Sequence, residues 1–266
     1  MPITGIDLKL CTKCHLCLKD CPALCFKVDE QMDNILFDNS RGCLLCGHCI
    51  GVCPENAILY KDMKGETLNF ENKQDPTTTI SYEVLHPFLR AKRSIRQYKN
   101  KKVPKDIVDK VVESMRYACT GANIRTLKCL IISDEEKIKV LSDSIIDFIA
   151  LESPETNLIR KRNMGIDPIF FNAPIVVILY SNNQWNATNS TIAMTFGMLS
   201  AQSLGLGSCW IGYAHGVLME NSKIRIEQTG IETYILGVMA LGYPAIKYSR
   251  APPRPPLTVR RIEKVN

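Results

Sequence analysis

At 266 residues and 45% hydrophobic content, the chain has room for one large domain, or a small one beside a medium one, with a sizeable buried core. No segment reaches about 18 consecutive apolar residues, and the opening MPITGIDLKL lacks a basic start followed by an apolar run, so a soluble, cytoplasmic chain without a membrane span is expected. The formal charge of +6 invites an anionic partner, but no run of Lys and Arg interleaves with aromatics, which argues against a nucleic-acid-binding face.

Nine of the twelve cysteines lie in the first 53 residues. CTKCHLCLKDCP, from Cys11 to Pro22, is written again 32 residues later as CLLCGHCIGVCP, from Cys43 to Pro54. A secreted disulfide framework could use such density, but without an export signal metal ligation is the better reading. The spacing C-x2-C-x2-C-x3-C-P is that of cuboidal iron–sulfur sites, whereas structural zinc takes pairs of C-x2-C without a third cysteine at the same interval. Three cysteines at intervals of three present three sulfurs to three corners of a cube. The fourth lies beyond reach of its own cube and, in the two-cluster arrangement, ligates the other. The expected sets are Cys11, Cys14, Cys17 with Cys53, and Cys43, Cys46, Cys49 with Cys21. His15 and His48 read as solvent-facing filler, and Cys25 as a packed thiol. Met1 to about Tyr60 resembles a bacterial-type two-cluster ferredoxin, and that resemblance implies a low-potential carrier of single electrons.

The stretch Lys61 to Thr79, KDMKGETLNFENKQDPTTT, has linker composition. Beyond it helices and strands alternate. From Pro104 the apolar residues Ile107, Val108, Val111, Val112 and Met115 fall on one helical stripe. CLIIS from Cys129 reads as a strand, and Ser133 with Glu136 forms a capping-box pattern for a helix through about Ala150. IVVILYS from Ile175 is apolar without interruption and reads as a central strand. A helix from Thr191 to Leu204 is small or apolar almost all round, which suits a deep core or a subunit interface. Strands are expected over Ser208 to Ile211 and Tyr234 to Leu241, and the proline-rich tail should run extended.

Four segments between and beside these elements bear on chemistry. KRSIRQY, from Lys92 to Tyr98, groups three cations and a serine, the donors a phosphate monoester takes. ACTGANIR, from Ala118, sets a small, flexible turn and the amide of Asn123 after the amphipathic helix. GLGSCWIG, from Gly205, puts glycines, a tryptophan and backbone donors at a helix-to-strand turn. GYPA, from Gly242, and then Arg254 close the chain. In order and spacing these resemble the FMN-dependent nitroreductase family over about Tyr82 to Asn266.

That resemblance implies an FMN phosphate held by Lys92, Arg93, Ser94 and Arg96, with Arg254 as a second contact. It implies a flavin ring lined by Cys119, Thr120, Gly121 and Asn123, and backbone contacts from Trp210, Ile211 and Gly212. It further implies a homodimer with flavins at its interface. Cys119 and Arg125 stand where the family usually writes a proline and a glutamine, a departure that bears on substrate choice.

The fold expected is therefore α+β: a two-cluster 4Fe-4S domain over 1–60, a linker over 61–81, and a nitroreductase-like domain over 82–266 with a central mixed sheet flanked by helices. Two clusters carry roughly −2 each and a flavin phosphate roughly −2, which together cancel the formal excess of +6. No G-x-G-x-x-G follows a strand, so an NAD(P)H donor would have to stack on the flavin itself. The activity expected is an oxidoreductase passing electrons from NAD(P)H or a reduced redox partner, through the clusters and FMN, to a small planar acceptor such as a nitroaromatic or quinone. The chemistry is centred on the flavin, with no catalytic side chain, and His215 reads as a satisfied histidine rather than a proton donor. Competing readings are a redox sensor or electron-storage flavoprotein, and a reductive dehalogenase on the same scaffold. Oxygen-sensitive clusters suit an anaerobe.

Overall fold

A computed structural model describes residues 3–63, 67 and 79–262. The chain divides into two compact units, Met1–Asp75 with Cys119–Arg125, and Pro76–Ala118 with Thr126–Asn266. Most of the segment expected as a linker lies outside the described residues.

In the first unit, β1 (Ile3–Ile6) pairs antiparallel with β4 (Ile58–Tyr60), and β2 (Phe26–Asp29) with β3 (Asn34–Phe37). Two five-residue helices, α1 (Leu16–Asp20) and α2 (His48–Val52), begin inside the cysteine runs. The duplication extends to the backbone. Lys13 and Leu45 both have φ 56°, His15 and Gly47 have φ 62° and 75°, and Leu24 and Asn56 have φ 53° and 54°. Each left-handed residue turns the chain back on itself, so that sulfurs three apart in sequence face one centre. Glycine adopts that conformation freely at 47, whereas histidine adopts it at 15 against a steric cost of about 1 kcal/mol. His15 is thus a turn-forming residue, half-buried, and not mere filler. The unit's small core is Ile3, Phe26, Ile35 and Ile58 with Cys17, Cys25 and Cys49, and Cys25 is fully buried.

The second unit is built on a four-stranded sheet in the order β5–β6–β8–β7: Lys128–Ile132, Ile175–Ser181, Tyr234–Gly242 and Gly207–Trp210. All three named pairings are antiparallel. Among the described residues, the sheet expected to be mixed has its parallel component only as a bridge from Ser94 to Ser208. Strand β6 shows why both faces are buried. Ile175, Val177 and Leu179 join one core with Val108, Val111 and Met115 of α4 (Lys105–Arg116) and Ala193, Met194 and Ala201 of α7 (Ala187–Ser203). Val176 and Ile178 join the other with Leu141, Ile145 and Ile146 of α5 (Glu135–Glu152) and Ala214, Val217 and Leu218 of α8 (Gly212–Glu220). Successive side chains of a strand alternate between faces, so a strand covered on both sides reads as one apolar run. Gly197 lets α7 approach α4, since a Cβ there would run into the Met115 side chain.

Helices α3 (Tyr82–Ala91), α6 (Asn157–Asn163) and α9 (Ser222–Thr229) complete the unit. The cap of α5 is Asp134, whose carboxylate accepts from Lys137 N at 2.9 Å, and not Ser133 as the capping-box pattern suggests. The closer cap lies directly before the first helical residue, where its oxygen reaches the orphan N–H groups. Past β8, Tyr243 and Ala245 bond to Lys99 and Gln97, after which the chain to Ile262 is exposed and without regular structure.

Candidate functional site

In the first unit the eight cysteines fall into two groups of four. A cavity of about 20 Å³ is lined by Cys21, Cys43, Cys46 and Cys49 of the runs, and by the buried Cys25 outside them, among Ile3, Phe26 and Phe37. A second, also about 20 Å³, is lined by Cys11, Cys14, Cys17 and Cys53, among Ile6, Ile35 and Ile58. Each group takes its fourth thiol from the other run, because the left-handed turns carry the chain past one centre before the C-P step delivers it to the other.

Backbone N–H groups point at the sulfurs: Cys25 N to Cys21 Sγ at 3.3 Å, Ala57 N to Cys53 Sγ at 3.2 Å, and Leu45 N to Cys43 Sγ at 3.4 Å. Burial pushes the Cys49 thiol up to about 12, with charge on Cys46, Cys43 and Cys21 adding to the rise. Burial likewise raises Cys17. Four thiolates in an apolar pocket are tolerable only around a strongly positive centre. An all-sulfur donor set with inward N–H groups fits iron–sulfur clusters.

In the second unit a cavity of about 700 Å³ is lined by Arg96, Phe171, Cys209, Trp210, Ile211 and Gly212, with side chains of α5, α6 and α8 around it. The segment from Lys92 lies along β7, where Ile95 N donates to Ser208 O at 3.1 Å and Tyr98 Oη to Ile95 O at 2.8 Å. Gly207 permits this approach, since a Cβ there would lie 2.6 Å from Ile95 Cγ1. Lys92 Nζ donates to Arg93 O at 2.7 Å and Ser208 O at 3.3 Å, and burial lowers its pKa. Burial raises the pKa of the Cys209 thiol, opposed by Arg96, by a hydrogen bond from Ser94 and by Lys92.

Arg93 stands 5.9 Å from the Tyr248 ring and Arg96 5.9 Å from the Phe171 ring. Among the described residues none of these three cations pairs with a carboxylate. Among the described residues Ser208 Oγ is buried without a partner. Unpaired cations beside a roomy, largely apolar cavity suit a flat ligand ending in an anion.

The structure thus brings Arg96, Trp210, Ile211 and Gly212 to one cavity, with Lys92, Arg93 and Ser94 on the segment carrying Arg96. Cys119, Thr120, Gly121 and Asn123 belong to the other unit, and Arg254 lies on the exposed tail. His215, on α8, bonds through Nε2 to Ile235 O at 3.1 Å and sets its ring edge-on to Trp210. Sequence reasoning missed Phe171 and Cys209 as lining residues. Cys209 sits inside the glycine-rich stretch already singled out, whereas Phe171 carries no sequence signal. Its φ of 59° is a property of the folded loop.

A model of the nitroreductase family matches residues 89–243, and one of the 4Fe-4S dicluster domain matches residues 10–58. Among solved structures, a nitroreductase with bound FMN from Bacteroides fragilis is 24% identical, covers 66% of this chain and 98% of its own, and superposes with a TM-score of 0.55. A nitroreductase with bound FMN from Desulfitobacterium hafniense is 16% identical, with coverage of 67% and 97% and a TM-score of 0.57. At these identities the likeness is one of fold. Among curated proteins, NADH-quinone oxidoreductase subunit I of Pelobacter propionicus is 34% identical over 71 residues, 23% of this chain and 36% of that protein. Subunit I 2 of the same oxidoreductase in Streptomyces coelicolor is 29% identical over 75 residues, 22% of this chain and 38% of that protein. The chain spans little more than a third of the length of these two curated relatives.

Proposed function

The chain belongs to the nitroreductase family, carries a 4Fe-4S dicluster domain ahead of that region and is an oxidoreductase, and from this premise we propose that it passes electrons between two 4Fe-4S clusters and an FMN held by the same polypeptide. Cys11, Cys14, Cys17 and Cys53 would hold one cluster, and Cys43, Cys46, Cys49 and Cys21 the other. The FMN would occupy the cavity of about 700 Å³, its phosphate toward Lys92, Arg93, Ser94 and Arg96 and its ring beside Trp210, Ile211 and Gly212.

Bound there, FMN supplies the exchange between one-electron and two-electron chemistry that single-electron clusters lack. The residues of this chain bind and orient. Lys92 anchors its segment to Ser208 O, and Phe171 and Trp210 leave an apolar wall against which a flat acceptor can lie. A nitroaromatic or quinone fits that description, with NAD(P)H or a reduced partner protein as donor. The proposal includes a homodimer. The exposed face of α7 with Phe196, and the tail with Leu257 and Ile262, offer apolar surface for a second copy, and Arg254 would reach the flavin phosphate from that tail.

The observation that carries the reading is the sorting of eight cysteines, four and four in crossed order, around two cavities. Its test is the composition of protein purified without air, where about eight iron, eight sulfide and one flavin per chain are expected. Iron without flavin would sink the flavin half of the proposal, and flavin without iron the cluster half. Among the described residues no helix is long and apolar enough to cross a membrane.

A further inference from the structure

We propose that Asn123 is a positioning residue for the loop between Cys43 and Cys46, and that it makes the two clusters electrochemically unequal. The inference rests on the cluster half of the proposed function. It lies wholly within the first unit, to which Cys119–Arg125 belongs although the flanking chain belongs to the second.

Asn123 Nδ2 donates to Leu45 O at 2.7 Å and to Leu44 O at 3.2 Å. Leu44 and Leu45 are the two residues between ligands Cys43 and Cys46. The carbonyl of Leu44 and the N–H of Leu45 are the two ends of one peptide plane, and that N–H donates to Cys43 Sγ at 3.4 Å. A continuous relay therefore runs from the amide of Asn123, through one peptide, to a ligand sulfur. A bond accepted at a carbonyl polarises its peptide and makes the N–H a stronger donor. Hydrogen bonds to the sulfurs help set a cluster's potential, and a stronger one stabilises the more negative, reduced state.

The amide is held in place for this. Arg125 Nε donates to Asn123 Oδ1 at 2.8 Å, which orients the side chain and leaves both Nδ2 protons for the loop. Ala122 and Asn123 are left-handed, at φ 49° and 55°, in a turn closed by Asn123 N to Thr120 O at 3.2 Å and Ile124 N to Gly121 O at 3.0 Å. Asparagine is among the few residues that visit this region routinely.

The first run has no counterpart. Lys13 matches Leu45 in backbone conformation, but its side chain goes to Asp33 at 2.8 Å. Among the described residues no side chain donates to the carbonyl of Thr12 or Lys13. Other N–H to sulfur bonds, from Cys25 and Ala57 to Cys21 and Cys53 and from Leu18 and Ile50 to Cys17 and Cys49, obey the repeat. Asn123 thus breaks the twofold symmetry at one cluster.

The test is a potentiometric titration of the anaerobic full-length protein followed by electron paramagnetic resonance, with iron and sulfide counted first. Wild-type protein without iron would sink the cluster reading itself, before any variant is compared. In Asn123→Ala one midpoint potential should move negative and the other stay. Arg125→Gln, which keeps the amide but loosens it, should move the same signal in the same direction by less. The moving signal should be the one altered by Cys46→Ser and not by Cys14→Ser. Two unmoved potentials, a joint shift, a positive shift, or movement of the signal assigned through Cys14 would overturn the proposal. If Asn123→Ala holds no iron, Arg125→Gln decides alone by the same criteria.

Discussion

The two units are stabilised by different physics. The second buries both faces of a four-stranded sheet, with Leu141, Ile145, Ile178, Met194 and Met239 sealed from water. At roughly 1.5–3 kcal/mol for each fully buried large aliphatic side chain, such a core holds itself together. Among the described residues the first unit buries five apolar residues, Ile3, Phe26, Ile35, Ala57 and Ile58, with three cysteines, and it spends non-glycine left-handed residues at Lys13, His15, Leu24, Leu45 and Asn56. On the proposed reading, its shape is set by the need to point sulfurs at two centres. A fold of that kind draws its stability from what the sulfurs hold.

The sharpest way to break this comparison is to take the iron away. Chelation under reducing conditions should open the first unit to proteolysis. Meanwhile the thermal transition of the second, read by Trp185 and Trp210, should stay close to that of the iron-replete protein. Protection of both units without iron would contradict it. The converse is Leu141→Ala in the core between α5 and the sheet, expected to cost about 2–5 kcal/mol in denaturant unfolding while iron per chain stays constant.

Gly207→Ala sharpens the comparison at the site. The new Cβ would press on Ile95, cost about 1–3 kcal/mol and displace the cationic segment, so bound flavin should fall with iron unchanged. The smallest effect concerns the cap of α5. Asp134→Ala should cost about 1 kcal/mol by thermal denaturation, and Ser133→Ala at most about 0.5 kcal/mol.

The same contrast governs what the sequence discloses. Strand β6 is legible to the residue, because a strand buried on both faces has no polar position to blur its ends. The amphipathic stripe of α4 is equally plain, with Val108, Val111 and Met115 turned inward. Helices α3, α6, α8 and α9 escape such reading. Pro87 interrupts α3, two glycines dilute α8, and no residue of α6 or α9 is fully buried to mark a stripe.

In the first unit hydrophobic pattern carries little, and cysteine spacing carries nearly everything. The crossed grouping of thiols follows from an arithmetic repeat, but the left-handed turns that realise it do not show in residue type at Lys13 or Leu45. At the larger cavity, Arg96, Trp210, Ile211 and Gly212 were joined into one site by the family resemblance, and neither composition nor spacing joined them alone. The bond of Asn123 to Leu44 and Leu45 was not, because it joins residues nearly eighty positions apart through backbone oxygens that every residue has.

The central claim is that clusters held by the cysteine runs exchange electrons with a flavin bound by the rest of the chain. The most direct measurement is a stepwise reductive titration of the protein under strict anaerobiosis, followed by visible absorption in the wild type and in Cys14→Ala. The account predicts that the flavin band bleaches along with the cluster absorbance in the wild type and more slowly in the variant. Clusters that reduce fully while the flavin band stands unchanged, or bleaching at the same rate in both proteins, would contradict it.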